Sequence, residues 1–210
     1  DTVTIYNATK EKNYSGNLAV IVDDCGYDLA PVQKLSGLPI KMSFAILPFK
    51  ANSSAALEVI QNNGKEAMLH LPMEPMDASA ASESKMVTVA MTKDEVQAYT
   101  KEAVNSLPGI AGVNNHQGSK ATSNRSTMKA VLEVLKGEGL FFIDSNTYSK
   151  SIGDQAAEEL GVATARNQKF LDNSSDVDDI KKNIWAAAEM ADKNGVAVVI
   201  CHARPNTAKA

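Results

Sequence analysis

Along the chain, short runs of apolar residues alternate with stretches in which apolar positions recur every three or four residues. The runs are LAVIV (18–22), MSFAILP (42–48), AMLHLP (67–72), GIAGVN (109–114), LFFID (140–144) and VAVVIC (196–201), with a weaker one at VATARN (162–167). Between them lie ALEVIQNNGK, TKDEVQAYTKEAVNSL, STMKAVLEVLKGEG, DQAAEELG and DVDDIKKNIWAAAEMADKNG, all with helical spacing. A run that is apolar throughout belongs to a strand buried on both faces. Such strands joined by helices predict an α/β fold, a parallel sheet covered on its outer face by helices. Six or seven such units in 210 residues suit a barrel-like closure or a doubly wound sheet.

Boundary signals sharpen the pattern. Thr92 stands three residues before Glu95, the spacing of a capping box. Ser126, and either Ser175 or Asp176, are further candidate N-caps. Gly64, Gly137, Gly161 and Gly195 follow their helices, where a left-handed residue is wanted. Residues 1–16 read as a tail or a short edge strand ahead of one domain over 17–210. The small polar stretch DASAASESK (77–85) reads as a mobile loop.

Composition changes the picture mainly by exclusion. With 44% hydrophobic and 22% charged residues the chain is ordinary globular protein, long enough for a sizeable core. A net charge of -4 without any basic cluster argues against nucleic acid as a partner. No apolar run reaches 18 residues, so no membrane span is expected in this chain. The polar start at Asp1 carries no signal peptide, as it would if a targeting segment had been removed upstream. Two cysteines, Cys25 and Cys201, are too few for a disulfide scaffold and are expected as free, partly buried thiols.

The candidate chemistry sits at the ends of the apolar runs. All three histidines lie there: His70 in AMLHLP, His116 after GIAGVNN and His202 after VAVVIC. Asp23 and Asp24 follow LAVIV, and Asp144 ends LFFID. In parallel α/β folds the carboxyl ends of the strands share one face, so these six groups are expected around one mouth. Imidazoles mixed with carboxylates suit a divalent cation, zinc first, which makes water acidic near neutral pH. A cation also explains the doubled aspartate, since adjacent carboxylates otherwise repel. One ligates, and the other stays ionised and takes a proton. Strand alternation is expected to turn the two in different directions.

Weaker signals surround these. Glu74 lies four after His70, but Pro72 and Pro75 argue for an extended loop; Glu74 either ligates or caps a turn. NNHQGSKAT, with Asn115 and Ser119, is rich in donors for an anion or a sugar hydroxyl. Arg166 and Asp172, in ARNQKFLDN, are expected to pair with each other. No G-x-S-x-G elbow occurs, which argues against a serine hydrolase, and no G-x-G-x-x-G or Walker pattern is present.

Taken together, IVDDCGYD, AMLHLPMEP, VNNHQGSKAT, FFIDSNT, RNQKFLDN and VICHARP resemble, in order, the blocks of the divergent polysaccharide deacetylase family, over about residues 17–206. The resemblance implies a distorted (β/α) barrel of about seven parallel strands, of the glycoside hydrolase/deacetylase type. It implies a metal-dependent hydrolase that removes N- or O-linked acetyl groups from an envelope polysaccharide or peptidoglycan, outside the cytoplasm. Asp23 is then the catalytic base, Asp24 and His70 are metal ligands, and His202 is the general acid. The wider superfamily uses H-[ST]-x-x-H for two ligands. Here the place reads His70-Leu-Pro-Met-Glu74, so glutamate stands where the second imidazole is usual, and His116 is the candidate to supply it. Asn115, Ser119, Asp144 and Arg166 are assigned to a polysaccharide or oligosaccharide substrate. The departure at Glu74 keeps an alternative open, a catalytically inactive glycan-binding or envelope-organising protein with the same fold. Aromatics at 5%, with Trp185 the only tryptophan, argue against a sugar-stacking platform. The family continues past CHARP with another helix and strand, so the barrel is expected to stay open or to be completed beyond Ala210.

Overall fold

The computed structural model describes residues 14–210 and the backbone of Tyr6–Asn7 (β1) and Lys10–Glu11 (β2), which pair antiparallel. The rest of the tail or edge strand expected over 1–16, residues 1–5, 8–9 and 12–13, lies outside the described residues. From there strands and helices alternate. The first half holds β3 (Asn17–Cys25), α1 (Leu29–Ser36), β4 (Ser43–Ile46), α2 (Ser53–Asn62), β5 (Glu66–Met73), α3 (Lys93–Asn105) and β6 (Gly112–Gln117). The second holds α4 (Arg125–Glu138), β7 (Phe141–Asp144), α5 (Gly153–Leu160), β8 (Thr164–Arg166), β9 (Lys169–Phe170), α6 (Val177–Asn194), β10 (Val196–His202) and α7 (Pro205–Lys209).

Strands β3 to β10 form one all-parallel sheet in the order β8-β7-β6-β5-β4-β3-β10-β9. Its two edges, β8 and β9, are halves of a single extended segment. The Asn167 N–H donates to Asp144 O on β7, and the next N–H, of Gln168, donates to Val198 O on β10. The sheet therefore curls into the distorted barrel form, seven chain segments round, with the weak run VATARN bending from one neighbour to the other.

The continuous apolar runs have a direct cause. Alternate residues of one strand face opposite sides. Val22, Phe44, Leu69, Phe142 and Val199 face outward under the helices. Ile21, Ala45, Met68, Ile143 and Ile200 face inward and plug the barrel, with Phe170 and Val198 against them. Each fully buried Val, Leu, Ile or Phe contributes about 1.5–3 kcal/mol of transfer free energy, so both layers hold the curl.

Several boundaries moved. The run GIAGVN is strand only from Gly112, because Pro108 and Gly109 (φ 79) make a turn. His116 thus lies within β6 rather than past it. The Thr92–Glu95 capping box forms, and Asp176 caps α6. Asn124, not Ser126, caps α4, because its side chain accepts the Thr127 N–H at 3.0 Å. Helix α4 runs through Gly137 and ends at Gly139 in the left-handed region. The loop over 77–85 makes contacts with the body of the fold. Glu83 pairs with Lys50 Nζ at 2.5 Å and accepts from the Tyr27 hydroxyl, and Lys85 pairs with Glu102 at 2.7 Å. Cys25 and Cys201 are free and fully buried, and burial pushes both thiols up, out of reach of neutral-pH thiolate chemistry.

Candidate functional site

Period-two alternation builds the site directly on the plug. Two residues beyond inward-facing Ile21, Met68 and Ile200 come Asp23, His70 and His202; on β6, Asn114 and His116 share the inward face. These polar groups cover the apolar interior at the carboxyl ends of the strands and form the floor of a cavity of about 440 Å³. Asp23, Asp24, His70, His116 and His202 all line it, as do Asn115 and Ser119. Asn115 spends its amide on Gln117 O (2.7 Å) and the Ser145 N–H (2.9 Å), and the Ser119 hydroxyl accepts the Met76 N–H.

Asp144 does not join them. It stands two after outward-facing Phe142, so its phase carries it outside the barrel. There it accepts from Ser151 Oγ (2.7 Å), the Asn146 N–H (2.8 Å) and Arg166 Nη2 (3.2 Å). Arg166 lies between Asp144 and Asp154, 3.3 Å from the latter, away from the cavity. The expected Arg166–Asp172 pair is absent because Arg166 ends β8 beside β7, while Asp172 follows β9 beside β10. Glu74 also turns away from the mouth, accepting the Val89 N–H (2.8 Å) and pairing with Lys120 Nζ (2.6 Å).

Simple alternation would send Asp24 out of the mouth, but the backbone reverses it. Pairing of β3 with β4 slips between Val22 and Cys25, and Asp24 adopts φ 62. This is a bulge with a left-handed residue, a conformation Asp tolerates better than most side chains. Both neighbouring aspartates therefore face inward. Asp24 Oδ1 comes 3.5 Å from His70 Nε2 and 3.3 Å from His116 Nδ1, and the two nitrogens are 3.0 Å apart. Three donors on a tetrahedral zinc with bonds of about 2.0–2.2 Å stand roughly 3.3–3.6 Å apart; the two carboxylate–imidazole sides match that spacing, and the two nitrogens, at 3.0 Å, stand closer. Asp24 Oδ1 is also buried without a hydrogen-bond partner among the described residues. A buried acceptor facing two imidazole nitrogens would be satisfied by a cation or by a protonated imidazole.

Hydrogen bonds outside the triangle point its lone pairs inward. Asn114 Nδ2 donates to Asp23 Oδ1 at 2.7 Å, so Asn114 Oδ1 accepts from His70 Nδ1, also at 2.7 Å. That proton on Nδ1 leaves His70 Nε2 bare toward the triangle. On the other side His116 Nε2 meets the Ser82 hydroxyl at 2.8 Å; in the tautomer that donates there, Nδ1 is bare. Asn114 and Ser82 were not anticipated. The N-x-H alternation on β6 was a usable signal for Asn114; a serine in a polar loop carried none.

The two aspartates differ electrically. Burial pushes the Asp23 carboxyl up, against the opposing pull of His70 and His202. Burial also acts on Asp24, but the imidazoles of His116 and His70 overcome it and hold the group well below the usual carboxylate range. His70 is buried, yet the charges of Asp23 and Asp24 raise it; burial and nearby His70 lower His116 despite the facing Asp24. Across the mouth, His202 Nδ1 bonds Asp172 Oδ1 at 2.8 Å. Asp172 Oδ2 accepts the His202 N–H (2.8 Å) and the Thr207 hydroxyl (2.6 Å). Phe170 stacks on the His202 ring with centroids 6.0 Å apart.

Comparison with known proteins bears on the family and the fold. A family model for divergent polysaccharide deacetylases matches residues 20–210. The uncharacterized protein YibQ of Escherichia coli (strain K12) is 33% identical over 195 residues, covering 93% of this chain and 61% of that protein. An uncharacterized protein of Haemophilus influenzae (strain ATCC 51907 / DSM 11121 / KW20 / Rd) is 33% identical over 190 residues, covering 90% of this chain and 68% of that one. The chain thus spans about three-fifths of the E. coli relative's length. The crystal structure of the uncharacterized protein ATU2773 from Agrobacterium tumefaciens C58 superposes with a TM-score of 0.83 at 16% identity, over 98% of this chain and 83% of that one, a likeness of fold.

Proposed function

The chain belongs to the divergent polysaccharide deacetylase family, and from that premise we propose that it is a metal-dependent hydrolase. It removes N- or O-linked acetyl groups from an envelope polysaccharide or peptidoglycan, outside the cytoplasm, with residues 17–210 as the catalytic unit. The observation that carries this reading is the triangle of Asp24 Oδ1, His70 Nε2 and His116 Nδ1, its orphan acceptor facing the two imidazoles. Three protein donors with Glu74 turned away make an open site of the catalytic kind, and the chemistry of the set suits zinc.

A divalent cation held there supplies Lewis acidity, making water acidic near neutral pH and polarising a carbonyl. The chain's own residues do the rest. Asp24 stays ionised as a ligand. Asp23, tethered through Oδ1 to Asn114, keeps Oδ2 for the proton of the attacking water, and burial raises its basicity for that task. His202 is oriented by Asp172 through Nδ1, so Nε2 can hand a proton to the departing amine or alkoxide. The split environments of the adjacent aspartates support giving one to the cation and the other to the proton.

The test is acetate release from acetylated chitooligosaccharides and from peptidoglycan fragments, with and without added zinc and after chelation. Zinc-dependent release supports the reading. A zinc-loaded protein that binds these glycans and releases no acetate supports the inactive glycan-binding alternative instead.

A further inference from the structure

The chain has three arginines. Arg125 pairs with Glu159, and Arg166 with Asp144 and Asp154. Arg204 has no carboxylate partner among the described residues, yet it stands in the wall of the cavity that holds Asp23, Asp24 and His202. It is fixed there. Its backbone N–H donates to His202 O at 2.8 Å, and Nη1 donates to Asp172 O at 3.2 Å. The nearby Asp172 carboxylate is already committed, Oδ1 to His202 Nδ1 and Oδ2 to the His202 N–H and Thr207 hydroxyl. The side chain is exposed on the cavity wall, and among the described residues only Nη1 donates within the chain, which leaves the other guanidinium N–H groups free to meet a planar anion.

We infer that Arg204 is an anion-binding site of the catalytic cavity, and that the acetylated sugar this protein acts on bears a carboxylate seated there. The inference rests on the deacetylase reading and narrows its substrate class. Arg204 lies two residues beyond His202, the group placed to protonate the leaving atom. The carboxylate therefore belongs to the leaving-group side, on the sugar that keeps the amine or hydroxyl or on its neighbour. The rest of the rim, with Asn115, Gln117, Ser119 and Thr147, is uncharged and suits sugar hydroxyls. A uronic acid or a lactyl ether supplies the required carboxylate.

The experiment compares zinc-equilibrated wild type and Arg204→Gln by calorimetric titration and acetate release. The probes are an oligosaccharide containing N-acetylmuramic acid with its lactyl carboxylate free, the same molecule amidated, and an oligosaccharide alternating N-acetylglucosamine with glucuronate, free and amidated. Wild type is expected to prefer one or both free acids by about 10–100-fold, the order given by a hydrogen bond to a charged group. Arg204→Gln is expected to erase that preference and leave binding of the amidated forms unchanged. The larger preference identifies the source of the carboxylate. Equal affinity of wild type for free and amidated forms, a preference that survives Arg204→Gln, or no binding at all overturns the anion site. An Arg204-dependent preference without acetate release from any probe overturns the deacetylase reading and leaves the anion site standing.

Discussion

Two clusters of the same composition, carboxylate with imidazole, face each other across the mouth and differ in one respect. In the Asp172–His202 pair both carboxylate oxygens, His202 Nδ1 and the His202 N–H are all hydrogen-bonded within the chain. In the Asp24–His70–His116 cluster three ligand atoms converge, Asp24 Oδ1 has no hydrogen-bond partner among the described residues, and the backbone carrying it sits at φ 62. One end is complete as folded, which suits a group that must hold and release a proton. The other gathers ligand atoms that a cation would satisfy. Strain and an orphan acceptor persist only where the surroundings over-determine them, and functional sites are where they gather.

The sharpest way to break this contrast is to remove one group from each side. His202→Ala is expected to cut kcat by about 10²–10⁴ while leaving zinc content at the wild-type level. Asp23→Asn should lower kcat by a similar order at full occupancy, because it keeps the Asn114 contact and loses the base. Wild-type rates in both variants would reject the proton-transfer assignment.

A smaller effect is expected one step out from the triangle. Ser82→Ala removes the partner that orients His116 and should weaken zinc binding about 10–100-fold, with Ser82→Thr restoring most of it. Competition against a chromophoric chelator reads this without any turnover. Unchanged affinity in Ser82→Ala would make the contact incidental.

The complete end makes its own prediction, in stability. Burial raises Asp172, but the hydrogen bonds from His202 and Thr207 outweigh it, so its folded pKa lies below the ordinary value. A depressed carboxylate stabilises the fold above its unfolded pKa, about 3.9, and loses that contribution as pH falls through the folded value. Asp172→Asn should therefore cost about 1–3 kcal/mol in urea unfolding at pH 7, and the difference from wild type should shrink below about pH 4. A gap that stays constant or widens in acid contradicts the assignment.

The same contrast marks what could be read before folding. The strand-helix alternation and the gathering of His70, His116 and His202 at strand ends were legible, because a parallel sheet sends all its carboxyl ends to one face. The phase within each strand was not. When both faces of a strand are apolar, the run carries no period of two, and nothing in LFFID says that Asp144 points outward while Asp23 points in. The bulge at Asp24 was hidden for the same reason, so alternation separated two aspartates that the backbone in fact brings together. Partners set by folding, Asp172 with His202 and Ser82 with His116, join residues 30 and 34 positions apart, and no local pattern encodes them.

The central claim is that Asp24, His70 and His116 hold one divalent cation, and elemental analysis of zinc-equilibrated, dialysed protein tests it most directly. The account predicts about one zinc per chain in wild type, near-complete loss in Asp24→Ala and His116→Ala, and full retention in Glu74→Gln and Asp172→Asn. No stoichiometric metal in wild type, or the wild-type amount in His116→Ala, would contradict it.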